Sequence, residues 1–299
     1  MKSPSHLLIS VVSVSLMMVV SQYCAPRSIS WYDQNMLIWA GMIILAIQWV
    51  AFIPAYLKKT ERFYDLTGSL TYLTLVWLGL SWANQEDLLT TRRIVVVGMV
   101  SLWAIRLGGY LFLRIQRRGG DPRLDEIKRH AASFFMTWTL QALWVYLTLL
   151  PVMIILTRNT RVGPLHWSEL LGWFIWGIGW LIEIIADRQK SRFQQDPDSR
   201  DQWINQGLWR YVQHPNYAGE MILWLGIFIS GVAHYSGGEW WAVVSPVFVF
   251  CLLRYVSGIP LLRERARARW GDDPAYAAYA NATPLLIPAL KKQSSNSSS

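Results

Sequence analysis

The chain has 299 residues, of which 53% are hydrophobic and only 16% charged, with 18 tryptophans. A soluble domain carries about 25% charged residues, so a soluble globular fold is excluded, and so is disorder anywhere but the C-terminal tail. The net charge of +9 would direct a soluble protein towards nucleic acid; in a membrane protein it arises from topology.

The apolar residues fall in eight long blocks, at about 7–24, 35–57, 66–83, 94–114, 133–156, 169–186, 217–235 and 239–257. Each approaches the roughly 20 residues that span a bilayer as helix. Helix is the expected form because backbone groups in lipid must pair within their own segment, and no block alternates as a barrel strand would. The first block follows Lys2 and runs from Leu7 to Val20, but Ser21-Gln22-Tyr23-Cys24 lacks a small-x-small cleavage site. A retained span is therefore favoured, and cleavage would leave seven helices. The expected fold is all-α, a polytopic integral membrane protein with about eight transmembrane helices.

With the N-terminus placed in the cytosol, 21 of the 28 Lys and Arg residues fall on inside segments and five on outside loops, with Arg106 and Arg254 inside spans. This bias follows the positive-inside rule. It places both termini in the cytosol and accounts for the charge with no nucleic-acid partner. Residues 1–34 read as an N-terminal membrane segment, 35–288 as the main membrane domain, and 289–299 as a disordered Ser-rich tail. Cys24 and Cys251 form no redox or metal spacing and read as passive apolar side chains. The five histidines are scattered, and no metal site is expected.

Phosphate-loop, dinucleotide-fold, nucleophile-elbow and zinc-protease motifs are absent. Chemistry must come from the cytosolic loops and the charges within spans. In LIEIIADRQKSR, Glu183 and Asp187 share a helix face, with Lys190 and Arg192 following. Glu183 lies a turn inside an apolar span, where an ionisable group marks a cavity or a partner; interfacial charges at a helix end are the plainer reading. In GLWRYVQHPNYAGE, Pro215 suits a first helical turn. Arg210, Tyr211, His214, Asn216, Tyr217 and Glu220 surround it with donors and acceptors suited to a nucleotide, and a helix N-terminus offers N–H groups to phosphate; a well-capped helix entry is the alternative. Arg263, Arg265, Arg267 and Arg269 alternate and so do not form one helical stripe. They suit phosphate and equally an amphipathic helix on anionic headgroups.

Several of these blocks together resemble one family. GLWRYVQHPNYAGE, then Trp224 and Gly226, VSGIP (Val256 to Pro260), WGDDPAYAAY and LLIP (Leu285 to Pro288) are similar to the C-terminal domain of the steroid 5-alpha-reductase family, and more closely to its bacterial-type branch, the DUF1295 membrane proteins. RFYDLTGSLTYL, WAIRLGGYLFLRI, RGGDPR (Arg118 to Arg123) and EIIADRQKSRF also fit that branch, so the resemblance covers roughly residues 35 to 288. A bare Arg-His-Pro-x-Tyr is shared with isoprenylcysteine methyltransferases.

The resemblance implies NADPH held on the cytosolic side and reduction of a C=C bond conjugated to a carbonyl, in a lipid-soluble substrate such as a steroid, polyprenyl or fatty enone. By position, Asp187, Asn216, Tyr217 and Glu220 match cofactor-site residues. Glu183, Lys190, Arg192, Arg210, Tyr211, His214 and Arg265 are placed with them, and the stretches around 187, 216 and 265 are expected to converge. Tyr64 and Asp65 are candidates for the acid that grips the substrate carbonyl, with Arg106 as a carboxylate partner; an interfacial tyrosine, a first-turn aspartate and a snorkelling arginine are the structural alternatives. Gln213 stands where the branch has Arg, and Arg263 where it has Glu. A methyltransferase using S-adenosylmethionine is the alternative function, and a lipid-binding or transport protein the third. The expected location is a bacterial inner membrane or the endoplasmic reticulum, with membrane lipids and a lipid-soluble small molecule as partners.

Overall fold

The computed structural model describes residues 3–24, 27–118, 120, 124–160, 163–199 and 201–288. The Ser-rich tail and parts of the Arg118–Arg123 stretch lie outside the described residues. The chain is an all-α polytopic membrane protein. Its helices are α1 (Ser3–Cys24), α2 (Met36–Leu57), α3 (Tyr64–Gln85), α4 (Thr91–Arg118), α5 (Ala131–Thr157), α6 (Trp167–Gln195), α7 (Pro215–Gly231), α8 (Val244–Cys251), α9 (Ile259–Trp270) and α10 (Pro274–Ala282). A small antiparallel pair, β1 (Ser30–Trp31) and β2 (Gln34–Asn35), is joined by Tyr32 and Asp33, both at positive φ.

Helix forms in every apolar block named above. Among the described residues, six segments are long and apolar enough to cross a membrane: Pro4–Cys24, Met36–Leu57, Thr91–Gln116, Ala131–Thr157, Trp167–Gln195 and Gly237–Trp270. Helices α3 and α7 are not among them; α7 has 17 residues. Local chemistry sets the helix ends. Asn35 caps α2 by accepting from Ile38 N–H at 3.0 Å, and Asp273 caps α10 by accepting from Ala275 N–H at 2.8 Å.

The chain divides into two compact units. The first comprises Met1–Gly172 and Ile227–Phe248, and the second Trp173–Gly226 and Val249–Ser299. In the first, α5 is the central element, packed against α1, α2 and α3. It is buried from Val145 to Thr157 almost without interruption, which is why its sequence is apolar on all sides. Polar side chains link the helices where lipid offers no competing partner. Ser21 meets the Tyr146 hydroxyl at 2.6 Å, Gln48 donates to Thr71 at 2.9 Å, and Tyr72 pairs with Thr148.

A second set of buried charges closes the ends of α4, α5 and α6 in the same unit. Arg92 Nε lies 2.9 Å from Glu169 Oε1, with side-chain exposures of 6% and 1%. Arg92 also donates to the Gly163 and Pro164 carbonyls at 2.7 and 3.1 Å, and bonds the His234 ring at 2.9 Å. Arg93 donates to the Ile155 and Arg158 carbonyls at 3.1 and 2.6 Å. Glu239 accepts from Ser236 in a capping box and pairs with Arg158 at 3.4 Å. These are the outside arginines of the topology reading, and here they stitch three interhelical loops together.

Candidate functional site

All eleven residues expected to hold a cofactor fall in the second unit, and the three expected to act on substrate fall in the first.

The second unit is organised by one close helix crossing. Gly179 on α6 meets Gly219 on α7. A Cβ on Gly219 would lie 2.7 Å from the Glu183 nitrogen and 2.7 Å from the Gly179 oxygen. A Cβ on Gly179 would lie 2.5 Å from the Leu223 nitrogen. Only glycine permits this approach, the small-residue device of membrane helices. One turn along α6 stands Glu183 and the next carries Asp187. Across from them, at the start of α7, Asn216 donates to Asp187 Oδ1 at 3.3 Å. The expected meeting of the 187 and 216 stretches is therefore present, and its cause is the glycine pair.

The entry to α7 is held from two sides. Leu208 N–H donates to Gln189 Oε1 at 3.0 Å across Gly207, whose φ of +60° and contact with Gln189 require glycine. The buried Trp209 donates its indole N–H to the Ala186 carbonyl at 3.1 Å, and Lys190 lies over the same ring at 5.0 Å. From the other side, Gln213 and His214 backbone N–H groups donate to Pro284 and Leu285 carbonyls at 2.8 and 3.1 Å. The Gln213 amide donates to the Ala280 and Thr283 carbonyls at 2.9 and 2.5 Å. The residue that departs from the family pattern thus acts as a neutral clamp on the end of α10. Pro215 opens α7 as expected, with the His214 carbonyl accepting from Ala218 at 3.1 Å.

His214 is 7% exposed, and neither ring nitrogen has a hydrogen-bond partner among the described residues. Its ring stacks on Tyr217 at 5.7 Å. Burial, then the charges of Lys190, Arg263 and Arg254, push its pKa down to about 3. The imidazole is neutral at physiological pH, and two polar atoms are left for something the protein does not supply. A stability consequence follows. The unfolded chain takes up a proton near 6.5, whereas the folded one holds it off until about 3. Stability from this group is complete above the unfolded value and is lost as pH falls through the window between the two, by at most about 1.4 kcal/mol per pH unit. His214→Gln is expected to flatten the Tm–pH curve of the detergent-purified protein across that window. Equal slopes in variant and wild type would contradict the assignment.

Among the other cofactor candidates, Glu183 and Asp187 are buried, and Lys190, Asn216, Tyr217 and Glu220 are half-buried. Arg192, Arg210, Tyr211 and Arg265 are exposed. Arg265 does not line the cavity at the start of α9; Arg254, Arg263 and Arg267 do. Arg263 and Arg267 are four apart and share a face, whereas Arg265 points off it. That spacing is legible in the sequence, but the participation of Arg254 is not.

In the first unit, Tyr64 opens α3 and donates its hydroxyl to the Thr137 carbonyl at 3.0 Å, with its ring edge-on to Trp138 at 5.1 Å. Asp65 lies in the first turn of α3, and Arg106 is half-buried on α4. Among the described residues no cluster of His, Cys, Asp or Glu could hold a metal ion.

The family model described as "Protein of unknown function (DUF1295)" matches residues 51–283. A curated relative, "3-oxo-5-alpha-steroid 4-dehydrogenase 1" of Macaca fascicularis, is 27% identical over 121 residues, which cover 40% of this chain and 41% of that protein. The match therefore spans less than half of the relative's length. No solved structure matches the chain.

Proposed function

This chain belongs to the DUF1295 family, and on that premise we propose that it is a membrane-embedded, NADPH-dependent oxidoreductase. Its substrate is a lipid-like molecule with a C=C bond conjugated to a carbonyl, the class to which the name of the Macaca fascicularis relative points. The observation that supports the reading most is the Asp187–Asn216 pair, together with the His214 ring two residues from Asn216, whose nitrogens have no hydrogen-bond partner among the described residues. This donor set, carboxylate with carboxamide and a neutral imidazole among cations, fits a dinucleotide.

Asp187, Glu183, Asn216, Tyr217 and Glu220 would hold its hydroxyl and amide groups. Lys190, Arg192, Arg210 and Arg265 would neutralise its phosphates, with Tyr211 at the same loop. Bound NADPH supplies a hydride. The protein's part is to orient polar groups and exclude water. Tyr64 or Asp65 would donate a proton or hydrogen bond to the carbonyl oxygen, with Arg106 balancing a carboxylate, since such donors are worth most in a dry site. For Tyr64 this means exchanging its bond to the Thr137 carbonyl for one to substrate.

The test is titration of NADPH into the detergent-purified full chain. Asn216→Ala is expected to weaken binding about tenfold, the cost of one hydrogen bond to a charged or buried group. Absence of binding in the wild type, or a thermal shift with S-adenosylmethionine alone, overturns the reading.

A further inference from the structure

The segment Gly237–Trp270 is long and apolar enough to cross a membrane, yet it is not one regular helix. Helix α8 runs into a single π turn, Leu252–Val256, closed by Ser257 N–H on the Leu252 carbonyl at 2.9 Å. Such turns insert an extra residue and commonly mark functional positions. The chain then breaks at Gly258, where a Cβ would lie 2.4 Å from the Leu253 carbonyl oxygen. Helix α9 starts immediately afterwards, with Pro260 in its first turn.

The break creates a concavity. Arg254 on the π turn and Arg263 and Arg267 on α9 line an open cavity of about 320 Å³, together with Ile259, Pro260 and Glu264. Among the described residues, none of these three arginines nor Glu264 has an ion-pair partner. Among the described residues, three guanidinium groups against one carboxylate leave a net charge of +2 on the lining. Arginine forks match phosphate oxygens. Among the described residues the lining offers no aromatic ring or carboxamide for a base, and it does not include Asp187, Asn216 or Glu220. It is a poor nucleotide site and a good one for a compact phosphate.

What lies next to it says which phosphate. On the same segment Phe250, Tyr255 and Val256 are 41%, 61% and 65% exposed. Large apolar side chains exposed on a membrane span face acyl chains. Along the chain that apolar stretch gives way to the arginines of α9, the order of residues expected at the boundary where lipid headgroups lie.

We propose that the cavity under the Gly258 break seats the headgroup phosphate of an anionic phospholipid. Its floor of Ile259 and Pro260 meets the glycerol end of the chains, and its net positive charge rejects a choline headgroup. The proposal does not require the cofactor reading, although the charges of Arg254 and Arg263 also act on His214.

The experiment is native mass spectrometry of the full chain released from detergent containing phosphatidylglycerol or phosphatidylcholine. The wild type is expected to retain phosphatidylglycerol about tenfold better than phosphatidylcholine. The Arg263→Gln/Arg267→Gln double variant loses that preference. Glu264→Gln strengthens it, a gain that misfolding cannot produce. Arg265→Gln/Arg269→Gln, equal in charge and on the same helix, leaves it unchanged. No preference in the wild type, or an equal loss in the second double variant, overturns the proposal. So does displacement of phosphatidylglycerol by NADP⁺, which would assign the cavity to the nucleotide.

Discussion

Gly219→Ala on α7 is expected to open the α6–α7 crossing and abolish NADPH binding, while Gly177→Ala on α6 leaves binding intact. The added methyl at 219 meets the Glu183 nitrogen and the Gly179 oxygen, both at 2.7 Å. These are backbone atoms, which cannot swing aside as a side-chain tip can. The two helices must separate, at an overpacking cost of about 1–3 kcal/mol or more. The Asp187–Asn216 hydrogen bond, already 3.3 Å long, is lost with the separation. Gly179→Ala should behave likewise, because its methyl meets the Leu223 nitrogen at 2.5 Å. A Cβ on Gly177 meets nothing within 4 Å, so alanine there should stabilise α6 by up to about 1 kcal/mol through helix propensity. Tm and NADPH affinity of the three variants, measured together, decide the matter. Unchanged binding in Gly219→Ala would remove the crossing from the functional site.

Glu169→Ala should be the most destabilising single change in the first unit, at about 3–5 kcal/mol. Its carboxylate faces Arg92 Nε at 2.9 Å and the His234 ring at 3.4 Å, and accepts from His166 N–H at 2.6 Å. Removing it leaves the Arg92 guanidinium buried without its counter-charge, and Arg92 also holds the carbonyls of Gly163 and Pro164. The comparison is Glu126→Ala. Glu126 pairs with Arg129 at 3.1 Å, but the two side chains are 75% and 69% exposed. Solvent screens that pair, so its loss should cost no more than about 1 kcal/mol. Similar Tm losses in the two variants would mean that the buried network contributes no more than a surface pair.

Much of this architecture can be read from the amino-acid order. Helix appears in each apolar block, and Pro215 opens α7, because hydropathy and proline geometry are properties of short stretches. The same local reading takes 239–257 as one apolar block. The chain there is a 3₁₀ turn, a short α-helix and a π turn, followed by the Gly258 break. Hydropathy does not report hydrogen-bond register, so Arg254 reads as a charge inside a span and not as part of an arginine-lined cavity. Gln213 reads as a missing charge, and its clamp on Ala280 and Thr283 depends on residues about 70 positions away.

Membrane residence and the all-α class were settled by composition and run length, since a bilayer compels any apolar segment to satisfy its own backbone. Which charged groups meet was settled by packing. Gly179 and Gly219 are unremarkable letters until two helices cross on them, and their missing side chains then bring Asp187 within reach of Asn216. Contacts of that kind depend on distances between segments, which no periodicity within one segment encodes.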